Sequence, residues 1–181
     1  MKLALSVAVY LAAVASASTI ASTTATTMKA IMGDFSKLGQ QYAKVVDDVN
    51  AFPQTGTEGV QDIHNDLTII DGLFQNVNDN LDALPRPVSD KNARKIFSTY
   101  NDLTPNILEY LNGITDKAAD FKALGSASSN TIFLDLMGAG APCIHFGESL
   151  MAMIPPVMTD EANTMLNGVD AARQDAINAL S

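Results

Sequence analysis

The chain has 181 residues, 47% hydrophobic and 17% charged, with 20 acidic and 11 basic side chains and a net charge of -9. That length suits one domain of ordinary size, and the acidity excludes a basic face for nucleic acid as well as electrostatic docking on anionic lipid. A single cysteine excludes a disulfide framework or a cysteine zinc site, and the apolar content excludes an intrinsically disordered chain.

The first element in chain order is a targeting segment. Lys2 forms a minimal positive start, residues 3–14 are almost unbroken apolar sequence, and Ala15-Ser16-Ala17 supplies a small-x-small cleavage pattern. Residues 1–17 therefore read as a secretory signal peptide. The apolar run is too short for the ~20 residues that span a bilayer, and no later segment is long enough either, so the expected product is secreted, with no transmembrane segment. Removing this segment takes away one lysine and much of the positive mean hydropathy of +0.11. Residues 18–27 follow as a Ser/Thr-rich leader, seven of the ten bearing hydroxyls. Its composition suits a flexible end, O-glycosylated or bare. The C-terminus has no hydrophobic tail of the GPI type.

From Met28 to Ser181 the pattern is helical, which makes 28–181 the expected bundle domain. Ile31, Phe35, Leu38, Tyr42, Val45, Val49 and Phe52 are spaced by three or four, one stripe on a helix that Pro53 should end. Val60, Ile63, Leu67, Ile70, Phe74, Val77, Leu81 and Leu84 form a second stripe, closed by Pro85-Arg86-Pro87. Ser89 is a good cap for a third helix carrying Ile96, Tyr100, Leu103, Ile107, Leu111, Ile114, Ala118 and Phe121, with Gly125 as its stop. Pro105 should kink or split that helix near residues 101–104, and Thr104 could cap a fresh start. The fourth stripe, Ile132, Leu136, Ala139, Cys143, Phe146, Leu150 and Ile154, contains Gly138, Gly140 and Pro142, and Pro155-Pro156 closes it. Thr159-Asp160-Glu161 opens the fifth helix with a hydroxyl cap and acids suited to the helix dipole. No β-alternation occurs. The expected fold is all-α, a single-domain bundle of about five amphipathic helices with the third kinked near Pro105.

No residue set carries catalytic chemistry. Cys143 and His145 are two apart, on different faces of a helix, and Cys143 reads as a buried, inert thiol. His64, beside stripe residue Ile63, reads as a boundary histidine. Gly147-Glu148-Ser149-Leu150-Met151 begins like a nucleophile elbow but lacks the second glycine and the preceding strand. Gly138-x-Gly140 lacks the strand and later glycine of a dinucleotide loop. Asn76, Asn78 and Asn80 alternate like a calcium loop, yet Leu81 replaces its glycine and Pro87 its glutamate. The scattered acids form no general acid–base pair. The chain reads as a non-enzyme, with no catalytic residues, cofactor or metal site. The interior offers more: five of the eight methionines fall between Met137 and Met165, near the small residues 138–141. Methionine lines adaptable apolar surfaces. Two readings stay open, an internal lipid-sized cavity and ordinary close packing.

Specific stretches carry a resemblance. Asp66-Leu67-Thr68-Ile69-Ile70-Asp71 lies in the second helix, and Leu103-Thr104-Pro105-Asn106-Ile107-Leu108-Glu109-Tyr110-Leu111-Asn112-Gly113-Ile114-Thr115-Asp116-Lys117 in the third, followed by Phe121 and Leu124-Gly125. Residues 162–180 make the closing helix. With the signal peptide and leader before them, these resemble the fungal hydrophobic surface-binding protein A family, which includes cell-wall galactomannoproteins. The resemblance implies a secreted protein, associated with the cell wall in some relatives. It also implies adsorption to hydrophobic surfaces, recruitment of a secreted esterase or other polyester hydrolase, or a fatty acid held inside the bundle. The missing Ser/Thr stalk and GPI signal make covalent wall attachment an unsupported expectation.

The expected function is therefore secreted, non-enzymatic binding of a fatty acid or other apolar ligand in the bundle interior. The alternatives are adsorption to hydrophobic surfaces with recruitment of a hydrolase, and a structural wall mannoprotein or antigen. Candidate ligand-binding residues from the stripes are Phe35, Leu38, Tyr42, Leu67, Phe74, Leu111, Leu136, Phe146, Leu150 and Met151, with Tyr42 or Ser149 meeting the head group. A connected apolar cavity favours the first function and a filled core favours adsorption.

Overall fold

A computed structural model describes the backbone of residues 3–181 and the side chains from Ser22 onward. The expected signal peptide, 1–17, lies outside the residues whose side chains are described. The chain forms α1 (Leu3–Ala51), α2 (Gly56–Asp82), α3 (Asp90–Asn101), α4 (Thr104–Asp116), α5 (Ala118–Ala123), α6 (Ser126–Gly138), α7 (Gly140–Met151), a 3-10 turn (Pro156–Met158) and α8 (Thr159–Leu180). No strand occurs among the described residues, so the all-α bundle is the observed fold.

The first two stripes are buried as spaced. Ile31, Phe35, Leu38, Val45 and Phe52 are fully buried on α1, and Ile63, Val77 and Leu81 on α2. These two long helices lie against each other. α1 also crosses α4, α4 packs on α8, and α2 backs onto α6 and α7. Gly113 lets α1 and α4 approach: a Cβ there would meet Val49 Cγ1 at 2.7 Å. Lys117 closes the same corner, donating to the carbonyls of Val49 at 2.6 Å, Asn50 at 2.9 Å and Phe52. Those carbonyls end α1 and have no partner within it.

Four local expectations change. The described part of the Ser/Thr leader, 22–27, is not a separate flexible end but is helical and continuous with α1; Thr26 bonds back to the Ser22 carbonyl at 3.0 Å. The third helix splits at Asp102-Leu103, as expected from Pro105, but it also breaks a second time at Lys117, which makes three pieces. The fourth breaks at Ala139, between the two glycines, into α6 and α7. Both expected threonine caps fail, because Thr104 donates to the Tyr100 carbonyl and α8 begins without a side-chain cap. The Ser89 cap is made, its hydroxyl accepting from Asn92 N at 3.4 Å. Gly125 ends α5 at φ +115°, a conformation open to glycine.

Candidate ligand-binding site

An apolar cavity lies where α1, α2, α4 and α8 converge beneath the α6–α7 break. Tyr42 enters from α1 and Leu67, Ile70, Asp71 and Phe74 from α2. Tyr100 comes from α3, and Ile107, Tyr110 and Leu111 from α4. Asp135 and Leu136 of α6, Ala139 at the break, Pro142 and Cys143 of α7, and Val169 and Arg173 of α8 complete the wall. The cavity is slender. It measures about 30 Å³, room for one or two waters. Counting all unfilled space between the lining atoms and out through the mouth, the gap is about 540 Å³. A second hollow of about 200 Å³ lies between α7 and α8 and shares Tyr100, Cys143, Val169 and Arg173 with the first.

The polar groups on this wall are few. Tyr42, Tyr100 and Tyr110 are buried, with Tyr42 and Tyr110 stacked at 5.7 Å. None of their hydroxyls has a hydrogen-bond partner among the described residues. Burial, and then the neighbouring Tyr110, Tyr100 and Cys143, push Tyr42 well above its ordinary value. Burial does the same to Tyr100 and Tyr110. All three stay protonated and can donate. Asp71 accepts from Gln75 Nε2 at 2.8 Å through Oδ2, while its buried Oδ1 has no partner. His64 Nδ1 meets Asp135 at 2.8 Å; burial raises the Asp135 pKa and the His64 bond opposes that rise. Arg173 Nη1 donates to the Leu136 carbonyl at 3.2 Å and Nη2 to Asp170 Oδ1 at 2.7 Å.

Buried donors and acceptors without partners are uncommon in folded proteins. Here one of them, Asp71 Oδ1, belongs to a residue on the wall of the apolar hollow, which Tyr42, Tyr100 and Tyr110 also line. A concave apolar site with a few convergent polar groups is the usual form of a small-molecule pocket.

Two solved structures share this fold. AFMP4P, solved in complex with palmitic acid, superposes with a TM-score of 0.76 at 16% identity, over 85% of this chain and 99% of that one. Ligand binding domain 1 of the Penicillium marneffei MP1 protein, complexed with arachidonic acids, gives 0.70 at 15% identity, over 86% of this chain and 97% of that one. No family model matches the chain, and no curated protein matches it in sequence.

Of the residues expected from the stripes, Tyr42, Leu67, Phe74, Leu111 and Leu136 line the cavity. Phe35, Leu38, Phe146 and Leu150 are fully buried beside it rather than on its wall. Phe146 packs onto the Tyr100 ring at 4.4 Å, edge-on to Phe74 at 5.5 Å and to Phe35 at 6.1 Å. Ser149 is buried and Met151 half-buried, both away from the lining. The methionines do not form the wall either. Met137 is 51% exposed, and Met158 takes a contact from Arg94 Nη1 at 3.4 Å. Tyr100, Tyr110, Cys143 and Arg173 went unselected as lining residues, because spacing marks a face as inward without saying what it meets. Cys143 and His145 do not pair: His145 Nε2 bonds Asp82 at 3.0 Å, and Cys143 is half-buried rather than fully buried, with loss of solvation pushing its thiol up to about 11.

Proposed function

We propose that this protein is a secreted, non-enzymatic binder of long-chain fatty acids, holding the acyl chain in the cavity beneath the α6–α7 break. The observation that carries the reading is an apolar hollow in the bundle interior, walled by Tyr42, Tyr100, Tyr110 and an Asp71 whose Oδ1 has no partner. It is supported by a fold shared with two proteins solved in complex with palmitic and arachidonic acids. Secretion is inferred from the 1–17 segment. Membership of the hydrophobic surface-binding protein A group, and residence at a fungal cell wall, are inferred from the resemblance noted above.

The driving force is removal of hydrocarbon from water. A sixteen-carbon chain buries about 14 methylenes at about 0.8 kcal/mol each, a gross gain of about 11 kcal/mol. Immobilisation costs about 4 kcal/mol or more. The remainder, about 7 kcal/mol, is a dissociation constant in the micromolar range. Because the closed cavity is only about 30 Å³, entry widens it: the wall shared with the outer hollow moves and the α6–α7 break supplies the freedom. Binding is therefore expected to be slow to start and to rigidify α7.

Native mass spectrometry of the secreted protein, followed by displacement of a fluorescent fatty acid by palmitate after lipid removal, tests the proposal. The expected result is one copurifying lipid and micromolar displacement. A lipid-free protein that palmitate does not compete for rejects it. The adsorption reading rests on Leu134, Met137, Ile144 and Val157, each more than half exposed. Depletion onto hydrophobic beads beyond that of a control protein of equal charge supports it, with hydrolase recruitment measured on the loaded beads.

A further inference from the structure

Arg173 is the one cation on the wall of either hollow among the described residues. Its side chain is only 14% exposed and sits on the partition between the inner cavity and the outer hollow. Gly140, the first residue of α7, makes room for it: a Cβ there would stand 3.3 Å from Nη1. A guanidinium carries five N–H donors. Two have partners here, the Leu136 carbonyl and the Asp170 carboxylate. The Leu136 carbonyl lies near the end of α6 and fixes the plane of the group. Asp170 is a different kind of partner. Its side chain is 65% exposed, three residues earlier on the same helix. Released from the arginine, that exposed carboxylate is taken up by water, which lowers the cost of exchanging it for another anion.

The remaining charges around the cavity are acidic. Asp71 and Asp135 share its wall with Arg173. A carboxylate head group brought against either would be repelled, so the arginine is the place on the wall where an anion is welcome. Arginine also matches a carboxylate in shape, with two parallel N–H bonds to its two oxygens. The tyrosine hydroxyls serve an alcohol as well as an acid, so they do not discriminate between the two.

We propose that Arg173 binds the carboxylate of the acyl ligand, which displaces Asp170 from it. The head group then lies at the partition and the chain runs inward past Tyr100 and Tyr110. The site is thereby selective for free fatty acids over alcohols and esters of the same chain length. This rests on the acyl-binding function proposed above.

The experiment compares palmitate, hexadecanol and methyl palmitate as competitors on the lipid-free full chain, for the wild type, R173Q and D170N, with circular dichroism verifying each fold. The wild type is expected to favour palmitate over hexadecanol by about tenfold or more, the strength of charge-assisted hydrogen bonds. R173Q should lose that preference while hexadecanol binding stays within about twofold. D170N removes the competing carboxylate and should tighten palmitate alone, which keeps the test intact if R173Q does not fold. Equal weakening of palmitate and hexadecanol in R173Q, or palmitate unchanged in both variants, overturns the proposal. A wild type that binds palmitate and hexadecanol equally also overturns it while leaving acyl binding standing. A wild type that binds neither removes both.

Discussion

Cys143 reports on the cavity because it is the chain's only cysteine and stands on the wall common to both hollows. Burial raises its thiol from an ordinary 9 to about 11; Arg173 opposes the shift, and Asp71 and Asp170 add to it. At pH 8 a rise of that size leaves about one-hundredth as many thiolates. Each remaining thiolate is the stronger nucleophile, by about tenfold for a Brønsted slope near 0.45. The net expectation is reaction with a small disulfide such as 4,4′-dithiodipyridine about tenfold slower than in the urea-unfolded chain, before any steric shielding. The released pyridine thione gives the rate by absorbance. Saturating palmitate should slow the folded protein further, because a chain in the cavity covers the sulfur. A folded rate equal to the unfolded one would refute the burial argument. A folded rate that palmitate leaves unchanged would put the ligand elsewhere.

Two other outcomes follow from the fold. Lys117→Met removes the cation from the three carbonyls that end α1; those carbonyls regain water, so the expected loss is about 2 kcal/mol, or roughly 5 °C in Tm by differential scanning calorimetry, and an unchanged Tm refutes the capping role. Asp135 has a folded pKa raised above 3.8 by burial, so the folded state holds its proton more tightly. Its contribution is then complete below that ordinary value and is lost as pH rises through the raised one. Measured between about pH 3 and 6, Asp135→Asn should gain in Tm relative to the wild type as pH increases, and a relative loss over that interval refutes the sign.

The amino-acid pattern was enough to recognise the helices and their inward faces. Steps of three and four from Ile31 to Phe52 and from Val60 to Leu84 place every one of those residues in the core, since an amphipathic helix has only one face to bury. Pro53, the Pro85-Arg86-Pro87 stop and the Pro105 break act through backbone geometry and a missing donor, which are local properties. The α6–α7 break was visible only as a cluster of glycines, because whether glycine bends a helix depends on what packs against it. The cavity was less legible still. Phe35 and Tyr42 belong to one stripe, yet Phe35 is enclosed by the rings of Tyr100 and Phe146 while Tyr42 stacks on Tyr110 at the cavity wall. Tyr110 lies one residue off the third stripe, and Arg173 lies between Ala172 and Ala176 of the last, where a charged residue reads as solvated surface. Their convergence is set by the crossing angles and separations of helices distant in sequence. Periodicity determines which side chains turn inward; only the tertiary arrangement decides where inward-facing side chains touch and where they leave room for a ligand, because a gap belongs to no single helix.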